Sequence, residues 1–146
     1  MDTIRENYLV STNKDKLDIE YIHQYLCFQS YWAGSIPIEI VKKSIENSLC
    51  FGVYDNEKQI GFARMITDHA TFAYLADVFI DENYRGKGLS KWMMEVIMAH
   101  PDLQGLRRMA LSTRDAHTLY SKFGFRALDF PDRWMNINNP NIYKGK

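Results

Sequence analysis

No charge of either sign predominates in this chain. Eighteen Lys and Arg balance eighteen Asp and Glu over 146 residues. Proteins that grip nucleic acid through its phosphates usually carry a basic excess, so that class starts at a disadvantage. Neither acidic substrates nor anionic membrane surfaces gain support from such a balance. Cysteine is scarce: Cys27 and Cys50 sit among apolar neighbours, without metal-ligand or Cys-x-x-Cys spacing. They read as two buried, reduced, unrelated thiols, and no metal is implied. No apolar run is long enough to span a membrane, and the first residues lack a charged-then-apolar signal pattern. The cytoplasm is therefore the expected compartment. Repeats, low-complexity tracts and linkers are also missing, so residues 1–146 are expected to form one domain.

What is present is a core-forming composition, 46% hydrophobic and 14% aromatic, and one stretch around which the rest is organised. From Asp77 to Met94 an apolar strand ends in a basic turn bracketed by Gly86 and Gly88, which opens into an amphipathic helix. Glycine lets backbone approach a ligand closely or take dihedrals that a side chain forbids. The first helical turn beyond offers unpaired N–H groups and the positive end of its dipole. Arg85, Lys87 and Lys91 add full charges at the same point. Donors, dipole and cations together describe an anion site, most naturally for phosphate. It is not a Walker loop, because no Gly-x-x-x-x-Gly-Lys-Ser/Thr is present, and the third glycine of a dinucleotide fingerprint is lacking.

In chain order, Tyr8 to Thr12 reads as a strand and Asp18 as the cap of a helix running to Phe28. Its His23 reads as a surface or core-edge residue. Pro37 suits the first turn of a second helix that starts at Ser35 or Ile36 and ends near Asn47. Between them, Tyr31 and Trp32 are either core anchors or the wall of a small-molecule cleft; aromatics beside two helices usually pack, which favours core. Leu49–Tyr54 and Gln59–Ile66 form a hairpin, and Phe72–Ile80 is the strand that feeds the basic turn. A helix ends near His100-Pro101, and Arg108–Thr113 is the next strand. Strand, helix, strand with a short link predicts a parallel pair with a right-handed crossover. Ligands in such sheets gather outside the carboxyl ends of the strands. A short helix from Asp115 to Phe123 follows, and Arg126–Phe130 and Trp134–Asn136 are read as closing strands.

This order resembles the GNAT superfamily of acetyl-CoA-dependent N-acetyltransferases. Tyr84-Arg-Gly-Lys-Gly-Leu-Ser90 is similar to the family's Gln/Arg-x-x-Gly-x-Gly/Ala pyrophosphate loop. Asp115-Ala-His-Thr-Leu-Tyr-Ser-Lys-Phe-Gly-Phe125 is similar to its later motif. The likeness is good from Leu49 to Leu128, while the N-terminal helices match only in position. It implies a mixed α/β fold, a central mixed sheet flanked by helices in the order β-α-α-β-β-β-α-β-α-β-β. It also implies that Arg85, Gly86, Lys87, Gly88, Leu89 and Ser90 hold the coenzyme A pyrophosphate, although Ser90 stands where Gly or Ala is usual. Val78, Phe79 and Ile80 would lend backbone to the pantetheine arm, and Ser112 and Thr113 would flank the thioester.

The same resemblance makes Tyr120 the general acid for the departing thiolate: a phenol of pKa near ~10 is still protonated when a thiolate of ~8.5 leaves. Ala76 stands where several relatives carry a carboxylate base. Its neighbour Asp77 matches an acidic residue that contacts the polyamine in spermidine/spermine acetyltransferases, so it is expected as base, directly or through water, or as the receptor of a cationic acceptor; a strand-end residue paired to backbone is the plain alternative. Asp68, His69 and His117 read as local structural residues.

The implied activity is transfer of an acetyl group from acetyl-CoA, as co-substrate, to a primary amine in a ternary complex, without a cysteine-linked acyl-enzyme or a metal. The acceptor is a small-molecule or peptide amine, walled by Tyr31, Trp32 and Tyr74, and its identity stays open. A homodimer is one option, since dimers are common among the proteins it resembles. Two rivals remain: a GNAT-fold sensor that binds acyl-CoA without turnover, kept alive by Ala76, and a nucleic-acid module using the basic turn, which the neutral charge disfavours.

Overall fold

The computed structural model describes residues 1–145. Six strands form one mixed sheet: β1 (Asp2–Arg5), β2 (Tyr8–Ser11), β3 (Leu49–Asp55), β4 (Lys58–Thr67), β5 (Phe72–Ile80) and β6 (Arg108–Leu111), lying side by side in chain order. All neighbours run antiparallel except β5 and β6. That parallel pair is joined by α3 (Leu89–Met98), as the strand-helix-strand pattern requires. The helices α1 (Ile19–Phe28) and α2 (Ile38–Glu46) connect β2 to β3, and α4 (His117–Ser121) follows β6.

Both faces of the sheet are covered, which is why β3 is buried continuously from Cys50 to Tyr54. Alternate residues serve opposite cores. Phe51, Ala63 and Met65 pack with Leu89, Met93, Met94 and Ile97 of α3, while Phe62 and Phe79 pack with Ile22 and Leu26 of α1 and Val41 and Ile45 of α2. The cap expected at Asp18 is formed; its carboxylate accepts the Tyr21 N–H at 3.1 Å. Pro37 sits one residue before α2, so that helix starts later than Ser35 or Ile36.

Three expectations are corrected. The single N-terminal strand is a hairpin, because Glu6, in the left-handed region at φ 57°, turns the chain and lets Asp2–Arg5 pair with Tyr8–Ser11. The last helix is only His117–Ser121. The closing strands at Arg126–Phe130 and Trp134–Asn136 do not form. Pro131, which has no N–H to give a ladder, begins a single 3-10 turn at Pro131–Arg133. Trp134 instead lies under the Arg108 guanidinium, 4.8 Å from its ring centre, and Met135 and Ile137 face solvent.

Candidate active site

β5 and β6 are paired only from Phe72–Arg108 to Leu75–Leu111. Beyond Leu75 the two strands part, leaving Ala76, Asp77 and Val78 along one wall of a cleft of about 610 Å³. The cause is on the other side of β5. Phe62 pairs with Phe79 and Arg64 with Ala76, so Asp77 and Val78 together face one residue of β4, Ala63. This is a β-bulge, a device that re-aims a strand and increases its local twist. Asp77 carries it at φ 55°, a conformation that Asp tolerates better than most residues.

The Asp77 carboxylate is held from two sides. Trp32 donates its indole Nε1–H to Oδ1 at 2.8 Å, and Arg64 donates Nε–H to Oδ2 at 2.9 Å. The Arg64 and Asp77 side chains are 15% and 10% exposed, so the pair is shielded from water. Arg64 also donates from Nη1 to Ser48 Oγ at 3.0 Å, and that hydroxyl donates to the Ser44 carbonyl. One chain of polar contacts thus runs from the end of α2 through β4 to the bulge and on to the α1–α2 loop. Sequence reasoning missed Arg64 and Ser48. The signal was a lone arginine in an otherwise apolar strand, Gln59–Ile66, where a cation must find a partner.

Tyr31 and Trp32 are not core residues: they remain 49% and 41% exposed and line the cleft. Their polar atoms tie the α1–α2 loop to both walls. The Tyr31 hydroxyl accepts the Arg114 backbone N–H at 3.0 Å, and the Arg114 guanidinium lies 3.9 Å from the Tyr31 ring centre. Tyr74, Ser112, Thr113, Asp115 and Tyr120 also face the cleft. Thr113 Oγ1 is occupied, accepting the Ala116 N–H at 3.0 Å just before α4. Tyr120 is buried to 8% exposure. Burial first, then the negative potential of Tyr31 and Asp115, pushes its phenol up to about 12.

At the other end of β5 the basic turn behaves as its glycines require. Gly86 and Gly88 have φ of 79° and 75°, and a Cβ on either would meet nothing within 4 Å. They are there for their backbone conformation, with open space beside them. Gly88 precedes α3, and no side chain caps that helix. The first N–H to close a helical bond is that of Trp92, to the Gly88 carbonyl at 3.1 Å, so Leu89, Ser90 and Lys91 keep theirs. Lys87 and Lys91 are exposed. Arg85 is committed elsewhere: Nε donates to the Ile80 carbonyl at 3.2 Å and Nη2 to the Tyr25 hydroxyl at 3.1 Å. Its side chain braces the turn against α1. Of the three strand residues expected beside it, only Val78 lines the cleft; Phe79 stacks on Tyr25 at 3.8 Å and Ile80 is core.

The remaining candidates lie outside this arrangement. His69 pairs with Asp102 at 3.2 Å in an exposed position, and Asp68 accepts the Thr71 hydroxyl at 2.6 Å and the N–H groups of Thr71, Ala70 and Phe72, which together hold its carboxyl well below the usual range. His23 Nε2 lies 2.9 Å from the Ile36 carbonyl, tethering the α1–α2 loop. His117, Cys27 and Cys50 do not line the cleft, and both thiols are free. Among the described residues no cluster of metal-ligating side chains occurs, and no helix is long and apolar enough to cross a membrane.

The sheet splits after its parallel pair and opens the cleft there, and at the end of β5 an uncapped helix follows a glycine turn. Residues 46–127 match the acetyltransferase (GNAT) domain family, and the chain belongs to that family. A crystal structure of a Xanthomonas campestris protein, assigned to the same family as an acetyltransferase, is 47% identical with a TM-score of 0.93, covering 95% of this chain and 98% of that one. A Gibberella zeae protein provisionally named an acetyltransferase is 34% identical over 81% of this chain and 78% of its own. A Clostridium acetobutylicum protein crystallised with acetyl-CoA shares the fold at 17% identity and a TM-score of 0.66, covering 90% of this chain and 95% of that one.

Proposed function

We propose that the protein transfers an acetyl group from acetyl-CoA to a primary amine by direct attack within a ternary complex. One observation carries the reading: a single cleft brings together the unpaired backbone of β5, the buried Tyr120 and an aromatic wall. The residues present fit the co-substrate. The N–H groups from Gly86 to Ser90 suit a pyrophosphate, and the free edge at Ala76–Val78 suits a chain of amides. When bound, acetyl-CoA supplies the thioester: a C–N bond forms to the amine and the C–S bond breaks, and of the two protons the ammonium sheds, one passes to solvent and the other, through water, to the leaving sulfur. Ser112 and Thr113 close the far side of the same opening.

The role of Tyr120 follows from its raised pKa. Full transfer of its proton to a thiolate of ~8.5 would be uphill by about 5 kcal/mol. The hydroxyl therefore assists by donating a hydrogen bond to the developing sulfur charge, which costs no proton. Asp77, expected as base or cation receptor, has its charge balanced by Arg64. We assign it a positioning role, holding the bulge that keeps β5 apart from β6, with amine protons leaving through water. A coenzyme sensor without turnover is the second reading, favoured by Ala76 and by the occupied Asp77. Tyr120→Phe separates the two. As an acetyltransferase it should lose roughly 10- to 100-fold in kcat with coenzyme affinity unchanged; wild-type protein that binds acetyl-CoA yet acetylates no amine in a broad panel would establish the sensor.

A further inference from the structure

Large apolar side chains left in water need a reason. Tyr31, Trp32, Ile40 and Ile66 are 49%, 41%, 41% and 42% exposed, they come from three separate elements, and all four line this one cleft. Tyr74 and Tyr143 extend the same wall. The charges around it cancel. Arg64 and Arg114 face the cleft against Asp77 and Asp115, and the deeper carboxylate, that of Asp77, already holds a guanidinium at 2.9 Å. A cation brought to Asp77 therefore meets Arg64 at nearly the same distance, and the two contributions offset. The second charge of a diamine finds no net attraction on the wall, and placing it there removes its hydration.

We infer that the acceptor is a primary amine carried on an aromatic or apolar body with no second positive charge, and that the Arg64–Asp77 pair is the specificity device that turns polycations away. This rests on the acetyltransferase reading above. The amine's body lies against Trp32 and Tyr74, where flat rings contribute stacking and burial together. Trp32 has two duties, as wall and as donor to Asp77, so acceptor contact and bulge geometry share one residue.

The test compares phenethylamine, 1,4-diaminobutane and spermidine as acceptors at saturating acetyl-CoA. In parallel, the unfolding midpoint is measured with each amine and no coenzyme. For the wild type, kcat/KM for phenethylamine should exceed that for either polyamine at least tenfold, and phenethylamine alone should raise the midpoint most. Arg64→Gln frees the Asp77 charge and should move the diaminobutane-to-phenethylamine ratio at least tenfold toward the diamine. Should that variant fail to fold, the wild-type ratio and midpoints decide alone. Polyamines used as well as phenethylamine, or better, would overturn this inference and leave the acetyltransferase reading standing. If no amine is acetylated although acetyl-CoA binds, the acetyltransferase reading fails, and the midpoints with amine alone still separate an aromatic-amine cleft from a polyamine one.

Discussion

The two walls of the proposed site, one at the turn after β5 and one along the cleft, are built from different materials. The stretch proposed to hold the coenzyme is backbone: two glycines at positive φ, an uncapped helix and a strand edge without a partner. The wall proposed to meet the acceptor is side chain: Trp32, Arg64, Ser48 and Asp77 meet through hydrogen bonds of 2.8 to 3.0 Å across 13 to 45 residues of sequence. Backbone donors grip any pyrophosphate alike, which suits a co-substrate common to a family. Side-chain contacts change with single substitutions, which suits an acceptor that differs between members.

That contrast can be broken most sharply at the glycines. Gly86→Val with Gly88→Val forces two β-branched residues into the left-handed region at ~1–2 kcal/mol each and fills the loop's open side. Coenzyme affinity measured by calorimetry should fall more than 100-fold; a change under tenfold would mean that the turn is not the anion cradle. On the acceptor wall, Asp77→Ala leaves the Arg64 guanidinium buried and unpaired, which costs about 3–5 kcal/mol. Urea unfolding should register that loss, and a drop below 1 kcal/mol would show the pair to be solvated in solution.

Between the walls, Tyr120 links chemistry to pH. Its folded pKa of about 12 lies above the ordinary 10.0, so the fold favours the neutral phenol. That stabilisation is complete below pH 10 and is lost as the pH rises through 12, a change of about 3 kcal/mol. Burial raises Tyr21 and Tyr54 in the same sense, so alkaline unfolding should be steep above pH 10. The rate of acetyl transfer should show no alkaline limb from Tyr120 before that point. The smallest effect belongs outside both walls. His69 and Asp102 are 51% and 49% exposed, and exposed pairs are worth little, so His69→Ala should cost under ~0.5 kcal/mol and leave coenzyme affinity untouched.

How much was legible beforehand followed the same division. The glycine turn, the strand before it and the helix after it stood where their residues indicated, because contiguous residues determine turn dihedrals, helix periodicity and strand alternation. The strands expected at Arg126–Phe130 and Trp134–Asn136 failed because an apolar run shows only that a strand could form, and pairing depends on a partner edge and on Pro131. The packing rule that favours core for Tyr31 and Trp32 failed for a related reason, and they line the cleft instead: an aromatic beside two helices packs unless its polar atom finds a distant anchor, here Asp77 and the Arg114 N–H.

By itself, then, the order of residues determined the central strands with their parallel crossover, the glycine turn and the family, all of which depend on neighbours within a few turns of chain. Only the tertiary structure decided that Asp77 is paired with Arg64 and that the cleft is lined by exposed apolar side chains with balanced charges. Those facts depend on which side chains from distant segments share one buried space, where a charge must find its counter-charge wherever the fold provides it.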